Sequence, residues 1–131
     1  MLHENDKILI QSLRDSFRCQ LDCYNTLRDV VRQIMSRLVL SRGDLSQLVE
    51  GFQKKKVLIA TIEHERSRVA QQVEQWQQRK AHIGACETID QFEQVLQKVT
   101  DAIQHFLNDE EQLQKYLEGV VARTGTSTTK T

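Results

Sequence analysis

The chain has 131 residues, with no proline and only five glycines, and its 18 basic residues balance its 18 acidic residues. The length suits a single domain and the composition favours helix, while the zero net charge gives no general attraction to nucleic acid or to an anionic membrane. No stretch approaches the roughly 18 apolar residues of a membrane span. The polar N-terminus is unlike a secretory signal, and three cysteines, an odd number, argue against a disulfide framework. We therefore expect a cytoplasmic protein with no membrane insertion and no nucleic-acid partner.

The first predicted helix covers residues 4–40. Its apolar residues alternate in spacings of three and four, which is the pattern of a coiled coil or a helical bundle. Gln20 is the one polar residue in this stripe. The stripe consists of Ile10, Leu13, Phe17, Gln20, Tyr24, Leu27, Val31, Ile34 and Leu38. The segment "SRGD" that follows carries a turn signal, and Asp44 with Gln47 predicts the N-terminal cap of the next helix.

The second predicted helix covers residues 45–83. Its stripe has charged residues at three positions, Lys55, Arg66 and Lys80, among otherwise apolar ones. The apolar members are Leu45, Leu48, Phe52, Ile59, Ile62, Val69, Val73, Trp76 and Ile83. Because only a short break separates the first two helices, they should pack as an antiparallel hairpin with arms roughly 55 Å long.

A third predicted helix covers residues 88–107, and a fourth covers 109–122 unless that segment is the end of the third. Apolar residues also flank the stripes of the first two helices, so the hairpin needs another partner, which the third helix can supply by folding back from the open end. We predict an all-α fold, a long antiparallel helical hairpin with one or two further helices packed on it. The domain spans residues 1–123, and the Thr-rich segment 124–131 is predicted to be disordered.

No metal and no other cofactor is expected. Cys19 and Cys23 lie four residues apart, as do His82 and Cys86, and together they would offer zinc three thiolates and an imidazole. The predicted hairpin, however, places Cys19 opposite the region of Arg66, whereas His82 lies roughly 24 Å farther along the helix axis. We therefore interpret the cysteines as reduced, small apolar residues.

No pattern in the sequence is typical of an enzyme active site, since there is neither a Gly-rich phosphate loop nor a nucleophile paired with a base. His64 and His105 fall outside the core stripes, which leaves a histidine phosphotransfer bundle as a less favoured alternative. The three lysines at 54–56 point to different sides of one helical turn, so they do not predict a nucleic-acid site. A structural coiled-coil module of a larger assembly is the other alternative.

The segment "RGDLSQLVEGFQKKKVLIATIEHER" resembles the middle of the FlgN-type flagellar export chaperones. The shared features are a turn with a small and an acidic residue, an apolar helix start, a lysine, a pair of large aliphatic residues and an arginine. The residues that carry them are Gly43, Asp44, Leu45, Leu48, Lys56, Leu58, Ile59, Ile62 and Arg66. The resemblance implies a helical, non-enzymatic cytoplasmic chaperone. It also implies that the partners are secreted flagellar hook–filament junction subunits, bound before type III secretion, with export apparatus components as further partners.

The segment 109–123 has an apolar stripe of its own, and Gly119 weakens it as an isolated helix by up to about 1 kcal/mol. It must therefore pack either on the hairpin or on a client. We predict the second, because Glu110 interrupts the stripe where a continuous core would need an apolar residue. The predicted client-binding residues are Leu113, Tyr116, Leu117, Val120 and Val121. The identity of the client and the formation of a homo-oligomer stay open.

Overall fold

A computed structural model describes residues 3–84 and 86–129 of the chain. Its helices, in chain order, are α1 (Glu4–Leu40), α2 (Val49–Arg68), α3 (Ala70–Arg79) and α4 (Glu87–Thr129), with a 3₁₀ turn (Leu45–Leu48) before α2. No strand occurs in the described part of the chain, so the predicted all-α fold is confirmed. Among the described helices, none combines the length and the apolarity that crossing a membrane requires.

The central element of the fold is α1, because both arms pack along it, whereas the two arms meet each other only through side chains. The α2–α3 arm runs antiparallel to α1 from the turn at 41–44, which we call the closed end. α4 then returns parallel to α1 from the opposite, open end. Within the described residues, no Cα atom of α2 or α3 lies within 8 Å of a Cα atom of α4, whereas α1 approaches all three helices that closely.

The core of the bundle consists of two clusters. The closed-end cluster contains Tyr24, Leu27, Val30, Val31, Ile34, Leu38, Leu48, Ile62, Val95, Val99, Ala102, Phe106 and Leu113. The open-end cluster contains Leu9, Ile10, Leu13, Val69, Trp76, Ile89 and Phe92. Between them, Ser16 and Gln20 of α1 are buried polar residues, and Phe17 packs against both clusters.

The turn at the closed end has the conformation that the sequence signals. Arg42 and Gly43 both have positive φ, 57° and 87°. The Gly43 N–H donates to the Leu38 carbonyl at 2.9 Å, and the Arg42 N–H donates to the Val39 carbonyl at 3.2 Å. These two bonds are those of a Schellman motif, which ends α1 at its predicted residue. The predicted Asp44 cap is present, with its carboxylate accepting a hydrogen bond from the backbone N–H two residues later at 3.0 Å.

The second arm buries a different face from the predicted one at the closed end. Phe52, predicted as a core residue, is 38% exposed. Gly51 faces α1 instead, and a Cβ atom built there would lie 2.6 Å from Cγ1 of Ile34. The absence of a side chain at Gly51 lets the two backbones approach closely, and this approach turns Phe52 away from the core.

The second arm also bends, and it ends before residue 83. Val69, with φ −104° and ψ 8°, separates α2 from α3, although its N–H still donates to the Glu65 carbonyl at 3.2 Å. The bend keeps the arm on α1, so that both Val69 and Trp76 are buried in the open-end cluster. α3 ends at Arg79, and turns follow it.

Of the two alternatives for residues 109–122, a separate helix or the end of the third, the structure has the second, because α4 is one continuous helix from Glu87 to Thr129. The acidic residues that suggested the break pair with cations of other helices. Glu110 forms an ion pair with Lys55 of α2, and Asp109 lies 3.6 Å and 3.7 Å from the Nε atoms of Arg28 and Arg32. The helix continues into the predicted tail at 124–131, where no proline interrupts it, and residues 130–131 lie outside the described part.

Candidate functional site

An open groove lies between the α2–α3 arm and α4, with α1 as its floor. It has a volume of about 550 Å³. The floor is formed by Phe17, Gln20 and Tyr24, and the walls by Arg66, Val69, Val73, Leu96, Val99, Thr100 and Ile103. The groove exists because both arms pack on α1 while their backbones stay more than 8 Å apart at the Cα atoms.

Aromatic contacts fix the floor of the groove. The Phe17 ring lies 6.1 Å from the Phe92 ring, and the Tyr24 ring lies 5.9 Å from the Phe106 ring, both in tilted arrangements. Each pair joins α1 to α4. Burial raises the pKa of the Tyr24 hydroxyl, so this residue stays neutral at physiological pH.

The two arms are bridged at both ends of the groove. Towards the open end, the Trp76 ring meets the Phe92 ring edge-to-face at 5.1 Å. Towards the closed end, the Lys55–Glu110 ion pair crosses from α2 to α4. These bridges hold the arms at a fixed separation, so the groove is part of the folded structure.

A second, shallower pocket lies along α2 on the side of the groove nearer the closed end. It has a volume of about 370 Å³ and is lined by Phe52, Lys55, Lys56, Ile59, Ala60 and Glu63. The Lys55 ammonium lies 5.9 Å from the centre of the Phe52 ring. Leu107 of α4 is exposed and lies three residues before Glu110, the ion-pair partner of Lys55, on the same side of its helix.

A polar layer lies beside the groove and ties α1 to α2. The Ser16 hydroxyl donates to a Glu65 carboxylate oxygen at 2.9 Å, and the Gln20 amide donates to the Ser16 hydroxyl at 3.2 Å. Arg68 donates to the same carboxylate at 2.8 Å and holds the pKa of Glu65 below its ordinary value. The hydrogen bonds therefore satisfy Gln20, the polar misfit in the stripe of α1.

The predicted client-binding residues lie together near the closed end but have different environments. Leu113 is 1% exposed and Val120 is 3% exposed, so both are core residues. Tyr116 and Leu117 are half-buried against the closed-end cluster. Val121 is 54% exposed. In this conformation the segment packs on the hairpin, and its role in client binding stays a prediction that requires it to move.

The cysteines and histidines considered as ligands do not converge. No group of three or more His, Cys, Asp or Glu side chains that could hold a metal ion occurs among the described residues. Cys19 is exposed and Cys23 is half-buried, and burial raises the pKa of the Cys23 thiol. His64 and His105 are exposed on α2 and α4.

The groove-lining residues differ from the predicted site. The sequence pattern places most of the groove-lining residues in the predicted core stripes. The only charged residue among them, Arg66, is the one sequence feature that indicates an incompletely buried surface at this position. No protein-family model, no curated protein and no solved structure matches the chain. The resemblance to FlgN-type chaperones therefore stays a prediction.

Proposed function

We propose that this protein is a cytoplasmic export chaperone that binds an amphipathic helix of a secreted flagellar hook–filament junction subunit. The observation that carries the proposal is the open, largely apolar groove between two arms whose backbones stay apart. The identity of the client class rests on the resemblance of residues 42–66 to the FlgN-type chaperones. The structure adds a surface whose shape suits such a client.

A helix is the element that suits the groove. Three helices in which one contacts both others leave the fourth corner of a four-helix bundle empty, and an amphipathic helix with an apolar stripe can fill it. Along α2 and α3, the lining residues extend from Phe52 to Val73. These 22 residues span roughly 32 Å along the arm, so a helix of about 20 residues matches the lining in length.

The chemistry of the lining favours binding over catalysis. Apart from the Tyr24 hydroxyl, the polar side chains of the main groove are an amide, a guanidinium and a hydroxyl, from Gln20, Arg66 and Thr100. Gln20 is engaged in the polar layer. The apolar side chains between them can bury the stripe of a client helix, at about 25 cal/mol for each Å² of apolar surface removed from water.

The proposal is tested with purified hook–filament junction subunits and their terminal helical segments, by calorimetry. Val73→Asp and Ile103→Asp each place a carboxylate in the groove wall at a half-buried position. We expect each to weaken client binding at least tenfold with the helical content retained. Val57→Asp is the matched control, since Val57 is 65% exposed and does not line the groove.

Further variants separate this site from the one that the sequence predicts. Val121→Asp alters the exposed member of the 113–121 segment without placing a charge in the core. If Val121→Asp abolishes binding and Ile103→Asp does not, the client binds at the C-terminal segment. If no junction subunit binds the wild-type protein, the chaperone proposal is wrong, and a structural coiled-coil role becomes the better explanation.

A further inference from the structure

The predicted core stripes contain four charged residues, Lys55, Arg66, Lys80 and Glu110. Among those that lie within the helices α1–α4, only Arg66 has no ion-pair partner in the described part of the chain. Two of the other three such residues are matched within the chain, and the third lies outside the packed helices. Lys55 of α2 pairs with Glu110 of α4, which were both misfits in their stripes. Lys80 follows α3 and lies outside the packed helices.

Arg66 is exposed to solvent, and it is part of the groove wall. It lines the groove together with Val69 and Val73, one turn or two turns away on the same wall. The positive charge of Arg66 also acts on the Tyr24 hydroxyl on the floor of the groove, where it partly offsets the increase in the pKa of Tyr24 that burial causes. A helix that fills the groove would cover this guanidinium, and covering a charge without a partner is costly.

We infer that the groove selects an amphipathic helix that carries a carboxylate within its apolar stripe, at the level of Arg66. This inference rests on the proposed helix-binding function and names the chemistry that the bound helix needs. The Lys55–Glu110 pair is a precedent in the same fold for a cation of α2 matched by an acid from the helix across the groove. A single polar pair in an apolar seam also fixes the register of two helices, so Arg66 sets where along the groove the client helix stops.

The facing wall supplies no competing acid at this level. Leu96, Thr100 and Ile103 of α4 line it, and the acidic residue of the neighbouring pocket, Glu63, forms no ion pair with Arg66. The groove therefore has an unneutralised positive charge between apolar walls, which is complementary to a Glu or Asp and repels a Lys or Arg.

The test uses three synthetic 21-residue amphipathic helical peptides that differ at one central stripe position, which holds Glu, Gln or Lys. Binding to the full-length protein is measured by fluorescence anisotropy at fixed salt. We expect the Glu peptide to bind about tenfold more tightly than the Gln peptide, as expected for one charge-assisted hydrogen bond. The Lys peptide should bind most weakly.

Charge reversal supplies the decisive comparison. Arg66→Glu should invert the order, so that the Lys peptide binds most tightly, whereas Lys98→Glu changes the net charge equally on an exposed residue outside the groove and should keep the wild-type order. Equal binding of the three peptides to wild type would overturn the role of Arg66 and leave the helix-binding function standing. The same change of order with both variants would attribute it to net charge and also overturn the inference. Failure of every peptide to bind would overturn the groove as a helix site and this inference with it, whereas the chaperone function is decided separately by the binding of junction subunits.

Discussion

The close approach of α2 to α1 at Gly51 gives the sharpest test of the packing, through the substitution Gly51→Ala. A Cβ atom at this position would lie 2.6 Å from Cγ1 and 3.1 Å from Cδ1 of Ile34, which is 2% exposed. Relieving such overlap in a packed core costs about 1–3 kcal/mol. Replacing Gly by Ala within a helix returns about 1 kcal/mol. We therefore expect a net destabilisation of about 0–2 kcal/mol.

Gly119→Ala is the matched control, because it is the same substitution within a helix and a Cβ there meets no atom within 4 Å. It should stabilise the protein by about 0.5–1 kcal/mol. The difference between the two variants isolates the steric cost at Gly51, and it should be about 1–3 kcal/mol. Urea denaturation followed by circular dichroism at 222 nm measures both free energies of unfolding.

A double-mutant cycle identifies the clashing partner. Ile34→Ala alone should cost about 2–5 kcal/mol because it empties a buried site. In the Ile34→Ala background, Gly51→Ala should no longer destabilise, since the atoms that it meets have been removed. If Gly51→Ala stabilises the otherwise wild-type protein as much as Gly119→Ala does, the tight α1–α2 contact is wrong.

Three further predictions concern the C-terminal helix, acid stability and metal content. Leu113 is a core residue and Val121 is exposed, so Leu113→Ala should lower the free energy of unfolding by about 2–4 kcal/mol and Val121→Ala by no more than about 0.5 kcal/mol. Truncation after Asn108 removes Leu113 and should therefore lower the melting temperature. An unchanged melting temperature after truncation would show instead that the segment is loosely held. Asp6 accepts two hydrogen bonds from Arg79, at 3.2 Å and 2.9 Å, which hold the pKa of Asp6 below its ordinary value. The stabilising contribution of the ionised Asp6 should therefore be present above about pH 4 and be lost as the pH falls through the lower pKa of the folded state. The melting temperatures of wild type and Asp6→Asn should converge at low pH, and a constant difference between them would contradict this. Elemental analysis of protein purified without added metal should find no stoichiometric zinc, and loss of helix on chelation would refute the expectation.

Much of the fold follows from the periodicity of the sequence. The alternating spacing of apolar residues predicts α1 over residues 4–40, and the observed helix has the same bounds. The turn at 41–44 predicts the hairpin, because Gly43 and Asp44 supply the left-handed conformation and the cap that the chain reversal needs. Helix formation and capping depend on neighbours within a few residues, so the local sequence is sufficient to determine them.

The candidate site depends on contacts between residues far apart in the chain. Heptad spacing predicted Phe52 as core, but the lack of a side chain at Gly51 brought α2 closer to Ile34 and rotated Phe52 outwards. Glu110 suggested a break until Lys55 was placed opposite it. A charge in an apolar stripe is unfavourable or favourable according to what lies across from it, and the sequence pattern alone does not specify that partner.

The sequence by itself determined that the chain forms long amphipathic helices, where they reverse direction, and which broad side of each is apolar. Only the tertiary structure decided how those sides are shared among neighbours. α2–α3 and α4 each pack along α1, while the backbones of these two arms stay apart from one another. An apolar stripe favours burial of one side of a helix, but it does not specify which neighbour buries it. The relative positions of the other helices therefore decide which part of the stripe stays open, and this produces the groove.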